Sequence, residues 1–166
     1  MLSVLHVGCG SQPLPAWLAG NVETRLDIDP DCQPDIVASM TDLGEIGPFD
    51  MVYSCHSLEH LMPHDVGIAL GEFHRVLRPG GIAVVFVPDL EDVKPTTDVL
   101  YVSEAGPISG LDMYYGLHTV TEAQPYMAHH CGFVRETLGD ALKAAGFASI
   151  SVERLDVFNL MGAAQK

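Results

Sequence analysis

Residues 4–15 read VLHVGCGSQPLP. The apolar run ending at Val7 gives way to Gly8-Cys9-Gly10, then to polar residues and two prolines. Glycines at alternate positions let a chain turn sharply after a strand, and let a ligand approach the backbone with no Cβ in the way. The stretch therefore predicts a buried strand over Ser3–Val7 and a turn able to seat a nucleotide, although a plain strand-to-helix turn would read the same. The third glycine of the dinucleotide fingerprint is missing, since Ser11, Gln12 and Pro13 follow Gly10. That glycine allows close helix packing where the pyrophosphate sits, so its absence disfavours a dinucleotide.

Further short apolar runs bounded by Gly, Pro or Asp occur at Thr24–Ile28, Asp35–Ala38, Phe49–Ser54 and Ile82–Val87, as expected of strands buried on both faces. Val66, Ala69, Leu70, Phe73, Val76 and Leu77 recur at helical spacing and predict a helix stopped by Pro79-Gly80-Gly81. Leu138, Ala141, Leu142 and Ala145 predict another, capped by Gly146. Ser149–Arg154 and Val157–Ala163 are separated by two residues, too few for a parallel crossover, so they predict an antiparallel hairpin at a sheet edge. Strand and helix patterns thus alternate as a parallel sheet with crossover helices requires. Residues 89–131 lack periodicity but carry Tyr101, Tyr114, Tyr115 and Tyr126, which predicts a lid or substrate-binding insertion.

At 166 residues the chain suits a single domain, 1–166. With 48% hydrophobic and 18% charged residues it reads as compact α/β rather than disordered. A net charge of −14 repels phosphate backbones and anionic lipid, so neither nucleic acid nor membrane is an expected partner. No membrane span or signal peptide is read, and the expected location is cytoplasmic. Cys9, Cys32, Cys55 and Cys131 form no CxxC pair, so buried thiols are expected rather than a metal knuckle or disulfides.

The run Leu26-Asp27-Ile28-Asp29-Pro30 puts an acid at the carboxyl end of the neighbouring strand, where it can accept hydrogen bonds from ribose hydroxyls or stand as a solvated turn residue. Taken in order, VLHVGCG, RLDIDP, FDMVYSCHSLEHL and FHRVLRPGGIAVVFVP resemble the successive motifs of class I S-adenosylmethionine-dependent methyltransferases of the small-molecule, type 11-like group. HHCGFVRETLGDALKAAGFASISVERL and VFNLMGAAQK resemble that group's late helix and last two strands. The resemblance implies a doubly wound Rossmann-like sheet of seven strands, the last antiparallel, and S-adenosyl-L-methionine as cofactor. It implies that Gly8 and Gly10 pass beneath the cofactor's methionine part, that Asp27 holds the ribose, that Ser39 and Met40 flank the adenine, and that Cys55 and His56 lie where cofactor and substrate meet.

Three departures accompany the match. His6 stands where relatives usually have an acid, Ser39 stands where many have an aspartate, and the chain starts at the first strand without the helices that commonly precede it. The expectation is therefore a domain truncated at its N-terminus relative to the family, its site covered by residues 89–131 or by a second subunit in a homodimer, or else binding the cofactor weakly. His56-Ser57-Leu58-Glu59-His60 also matches the zinc-peptidase pattern H-x-x-E-H, but it follows a strand directly and meets Pro63, so no metal is expected.

Methyl transfer from a sulfonium mainly needs alignment of nucleophile and methyl. A base is needed only for a protonated nucleophile, and His56, His118, His129, His130 and Asp89 are available types. His56 is the candidate catalytic residue on position alone. The expected function is methyl transfer to a small-molecule acceptor. The alternative is a methyltransferase-like binding or assembly module with weak or no catalysis.

Overall fold

Val52, Val85 and Val87 are each flanked by apolar neighbours that point the other way, and a strand apolar on both faces can only be satisfied inside a covered sheet. The computed structural model, which describes residues 1–103, 105–156 and 158–166, builds that sheet. Seven strands form it: β1 (Ser3–Val7), β2 (Val22–Asp27), β3 (Ile36–Val37), β4 (Phe49–Cys55), β5 (Leu77–Pro88), and two that close the chain. Between β5 and the closing pair lies a separate hairpin of β6 (Val99–Ser103) and β7 (Gly106–Ser109). The closing strands are β8 (Ala148–Leu155) and β9 (Asn159–Gln165). The order across the main sheet is β3-β2-β1-β4-β5-β9-β8. Strands β1 to β5 pair in parallel, whereas β9 is antiparallel to both β5 and β8.

The reversal between β1 and β4 is the topological switch of this sheet, and ligands in open α/β sheets bind outside the carboxyl ends of the strands at such a point. The β8–β9 hairpin forms at the sheet edge as the short connection requires. Val157, the expected first residue of the last strand, lies outside the described residues, and β9 runs from Asn159. β5 begins earlier than its apolar run, at Leu77, because Phe49 pairs with Leu77 before a register shift re-pairs Met51 with Ile82.

Helix α1 (Val66–Val76) presents Val66, Ala69, Leu70, Phe73 and Val76 to the core. It ends three residues before Pro79, whose ring disfavours a helical conformation at the residue preceding it. The segment that shows no periodicity contributes, besides its hairpin, the short helices α2 (Gly110–Tyr115) and α3 (His118–Thr121). Elements of four to six residues are too brief to declare a period. Helix α4 (Arg135–Ala144) buries Leu138 and Leu142, and Gly146, at φ +98°, terminates it.

Both long helices pack on one face, where Leu70, Phe73, Leu138 and Leu142 meet Leu5, Val52, Val85 and Leu160 in a single cluster. On the opposite face Val4, Met51, Tyr53 and Val84 pack with Leu18 of a single 3-10 turn, Ala16–Leu18. The connection after β1 is thus shorter than a crossover helix, and Trp17 of that turn lies edge-on to Tyr53 with ring centres 5.9 Å apart.

Residues 89–131 hold a small cluster of their own, Val93, Ile108 and Met113. No described helix is long and apolar enough to cross a membrane.

Candidate active site

Parallel register brings the strand ends together. Val7 pairs with Leu26 on one side and Ser54 on the other, so the next residues of β1, β2 and β4 emerge at one edge. Gly8 turns there at φ +66°, and its N–H and that of Cys9 both donate to Leu26 O, at 2.9 and 3.2 Å. A Cβ on Gly8 would lie 2.5 Å from Ser57 Cβ, so only glycine fits between the turn and the segment after β4. Gly10, at φ +49°, faces open space. One glycine is required by crowding, the other by conformation.

Asp27 fixes the turn from β2. Its Oδ2 accepts from Gly10 N–H at 2.7 Å and its Oδ1 from Asp29 N–H at 2.9 Å. Arg25, two residues earlier on the same strand, donates to Gly10 O at 2.6 Å and Gln12 O at 2.8 Å. This clamp is absent from the sequence reading, although the strand period of two would have put Arg25 on the same side as Asp27. Ser57, also unforeseen, shares a 2.5 Å hydroxyl contact with Ser54 beneath the turn.

A cavity of about 530 Å³ opens at this edge, within the usual range for small-molecule sites. Gly8, Gly10, Asp27, Ser39, Met40, Cys55 and His56 all line it. Gln124, Tyr126 and Met127 close it from the 89–131 segment, and Tyr126 OH donates to Asp29 Oδ2 at 3.0 Å. Tyr114, by contrast, donates to Val93 O, and Tyr115 is exposed.

Beside it lies a smaller cavity of about 210 Å³, and His56, His60 and Met127 line both. Its remaining wall includes Glu59, Tyr101, Ile108, Asp112, Met113 and His129. The two spaces meet at the residues after β4.

His56 adopts φ +50° and approaches Glu59 Oε1 through Nδ1 at 3.2 Å. Burial disfavours the imidazolium, but the hydrogen bond and charge of Glu59 outweigh it and hold the His56 pKa above its ordinary value. Glu59 is buried, 1% exposed. Burial pushes its carboxyl up, yet His56 and His60 bring it below the ordinary carboxylate range. Leu58–His60 form a three-residue 3-10 turn rather than a longer α-helix, so His56 and His60 do not repeat the zinc-peptidase geometry.

Other sequence candidates fall elsewhere. Asp89 is buried and spent on Glu91 N–H and on Arg154, whose Nε lies 2.5 Å from its Oδ2. His118 is exposed and paired with Asp112, and His130 lines neither cavity. His6 points to the opposite face of the sheet, 2.8 Å from Glu23 Oε1 and edge-on to Tyr53. Glu23 belongs to β2, and burial lowers the His6 pKa, so the pair is a hydrogen bond from a neutral imidazole to a carboxylate, set apart from the cavity lining. Burial raises the thiol pKa of Cys55 and brings those of Cys9 and Cys131 to about 11, so none is a ready nucleophile.

Residues 5–85 match the model of the methyltransferase domain family. No curated protein sequence matches the chain. Among solved structures, a Mesorhizobium loti S-adenosylmethionine-dependent methyltransferase superposes with TM-score 0.68 at 21% identity, over 99% of this chain and 91% of that one. Burkholderia thailandensis 1,6-didemethyltoxoflavin-N1-methyltransferase, solved with 1,6-didemethyltoxoflavin and S-adenosylhomocysteine, gives 0.65 at 20% identity over 99% and 71%. An Archaeoglobus fulgidus S-adenosylmethionine-dependent methyltransferase gives 0.67 at 16% over 99% and 86%. These likenesses establish the fold.

Proposed function

We propose that this chain, a class I S-adenosylmethionine-dependent methyltransferase by its fold and its matched domain, methylates a small-molecule acceptor. The carrying observation is that glycine turn, β2 acid, Ser39–Met40 and Cys55–His56, far apart in sequence, line one cavity at the switch point. S-adenosyl-L-methionine suits that wall. Asp27 keeps unused lone pairs on both oxygens for two vicinal hydroxyls, Met40 and Leu61 offer apolar contact for a base, and the cradle below Gly8 excludes any side chain. When bound, the cofactor supplies a methyl group on a positively charged sulfur, open to in-line displacement.

The protein's part is alignment and exclusion of water. Asp27 and Arg25 hold the turn rigid from opposite polarities, so the backbone groups of Gly8 to Gly10 stay fixed. Orientation of this kind supplies roughly 7–11 kcal/mol of a barrier. Residues 89–131 act as the lid over both cavities, with the smaller space as the acceptor pocket. The Burkholderia neighbour, crystallised with its small-molecule substrate, supports an acceptor of that class. His56, whose Nδ1–H donates to Glu59, is the group to take a proton from the acceptor, at Nε2 in the neutral form of the imidazole.

Calorimetric titration with S-adenosylhomocysteine tests the cofactor site, and a small-molecule acceptor screen reading S-adenosylhomocysteine release tests turnover. Saturable binding plus acceptor-dependent release is expected. Absence of binding at millimolar ligand overturns the reading, and binding without turnover on any acceptor would leave a binding module.

A further inference from the structure

The smaller cavity has an unusual floor. Glu59, His60 and His129 each offer a ligand atom within 4.8 Å of the other two. Glu59 is 1% exposed, and while its Oε1 meets His56, its Oε2 is buried with no hydrogen-bond partner. An unsatisfied buried carboxylate oxygen is costly, and native structures rarely keep one without use.

The histidines are oriented from behind. His60 Nδ1–H donates to Ala128 O at 3.2 Å and His129 Nδ1–H to Met113 O at 2.9 Å. A carbonyl only accepts, so each Nδ1 carries the proton and each Nε2 keeps its lone pair. Backbone carbonyls that fix the tautomer in this way are the usual outer shell of metal-ligating imidazoles. The rings lie 5.2 Å apart, centre to centre. Glu59 is tied to the same segment through its own backbone, since His130 N–H and Cys131 N–H both donate to Glu59 O.

We propose that Glu59, His60 and His129 bind a divalent transition-metal ion, with open positions facing the smaller cavity. Two imidazoles and one carboxylate suit zinc, iron(II) or cobalt(II) rather than calcium or magnesium, which take oxygen donors. The trio is not the H-x-x-E-H arrangement, because His56 serves as the hydrogen-bond partner of Glu59 while the second imidazole comes from residue 129. Where the methyl-transfer reading holds, an acceptor in the smaller cavity carrying an oxygen or nitrogen donor would take an open position of the metal. Metal binding itself does not depend on that reading.

The test uses the full chain, treated with chelator, dialysed and titrated with cobalt(II) while the visible ligand-field bands are recorded, with zinc(II) as competitor. Saturation at one equivalent, displaced by zinc, is expected. His60→Gln and His129→Gln should each weaken binding by more than the roughly 10–100-fold that loss of an outer-shell partner costs, with far-UV circular dichroism unchanged. His64→Gln, at an exposed histidine, should leave it unaltered. Absence of ligand-field bands in the unmutated chain, or folded His60 and His129 variants that bind as well as it does, would overturn the site. Both results are read without S-adenosylmethionine, so failure here leaves the cofactor titration to stand or fall separately.

Discussion

Replacing Asp27 by alanine separates two jobs that its carboxylate can do. In the structure it braces the turn, accepting Gly10 N–H at 2.7 Å and Asp29 N–H at 2.9 Å. Under the proposed function it also accepts from the ribose hydroxyls. A hydrogen bond to a charged group contributes about 1.5–3 kcal/mol, and each 1.4 kcal/mol is tenfold in affinity. Loss of one such bond therefore corresponds to roughly a 10- to 150-fold weaker S-adenosylhomocysteine Kd. Water hydrates the freed hydroxyls in part, so losing two does not double this free energy.

Asp27→Asn should not rescue, because an amide has one acceptor oxygen where the carboxylate serves two N–H groups. The assay is calorimetric titration of both variants at fixed pH and salt, with melting temperature followed in parallel. Affinity within about twofold of the unmutated chain in both variants would refute the ribose assignment. A lower Tm accompanying unchanged affinity would leave Asp27 as a brace only.

Gly8→Ala combines a left-handed backbone with a Cβ 2.5 Å from Ser57 Cβ. The conformation costs about 1–2 kcal/mol and the overlap about 1–3 more, so a Tm fall of several degrees is expected, and an unchanged Tm would contradict the crowding. Leu142→Ala should cost about 2–5 kcal/mol in urea unfolding. Gly162→Ala should cost about 1–3, since its Cβ would lie 3.1 Å from Leu142 Cδ1. The double variant should lose less than the sum, because the new methyl fills space the leucine leaves; strict additivity would show that α4 does not lie on β9 there. Burial pushes the Asp112 carboxyl up, but Ser109 and His118 hold it down to about 2. A depressed carboxyl stabilises the fold above its unfolded pKa and loses that contribution as pH falls through its folded value. The Tm difference between the unmutated chain and Asp112→Asn should therefore be full above about pH 4 and shrink from there toward pH 2. A difference independent of pH would remove the charge from the account.

The motif order was legible because each motif sits on a strand end, where chemistry depends on a few residues in local register. Gly8, Gly10 and Asp27 are readable for that reason: a turn needing φ above zero and an acid at the neighbouring strand's tip are local facts. Arg25 was within reach, being one strand period from Asp27, but a lone arginine in a half-buried strand carries no signal of which carbonyls it will meet. His6 was legible as a departure and illegible as a solution, since its partner Glu23 is set by the pairing of β1 with β2 rather than by spacing.

Residues 89–131 mark where local reading stops. Their cluster of Val93, Ile108 and Met113 is built from contacts between a hairpin and two short helices, each too short to show a period, so only their aromatics hinted at order. The same chain path carries His129 back to Glu59, seventy residues away, along with the carbonyls of Met113 and Ala128 that orient both histidines. On sequence alone, His56-Ser57-Leu58-Glu59-His60 poses the metal question with the wrong pair of histidines. Tertiary packing hands His56 to one carboxylate oxygen of Glu59, leaves the other without a hydrogen-bond partner, and brings the side chain beside His60 and His129. A carboxylate whose two oxygens have different surroundings is specified by where two distant segments cross, and no window of sequence contains that crossing.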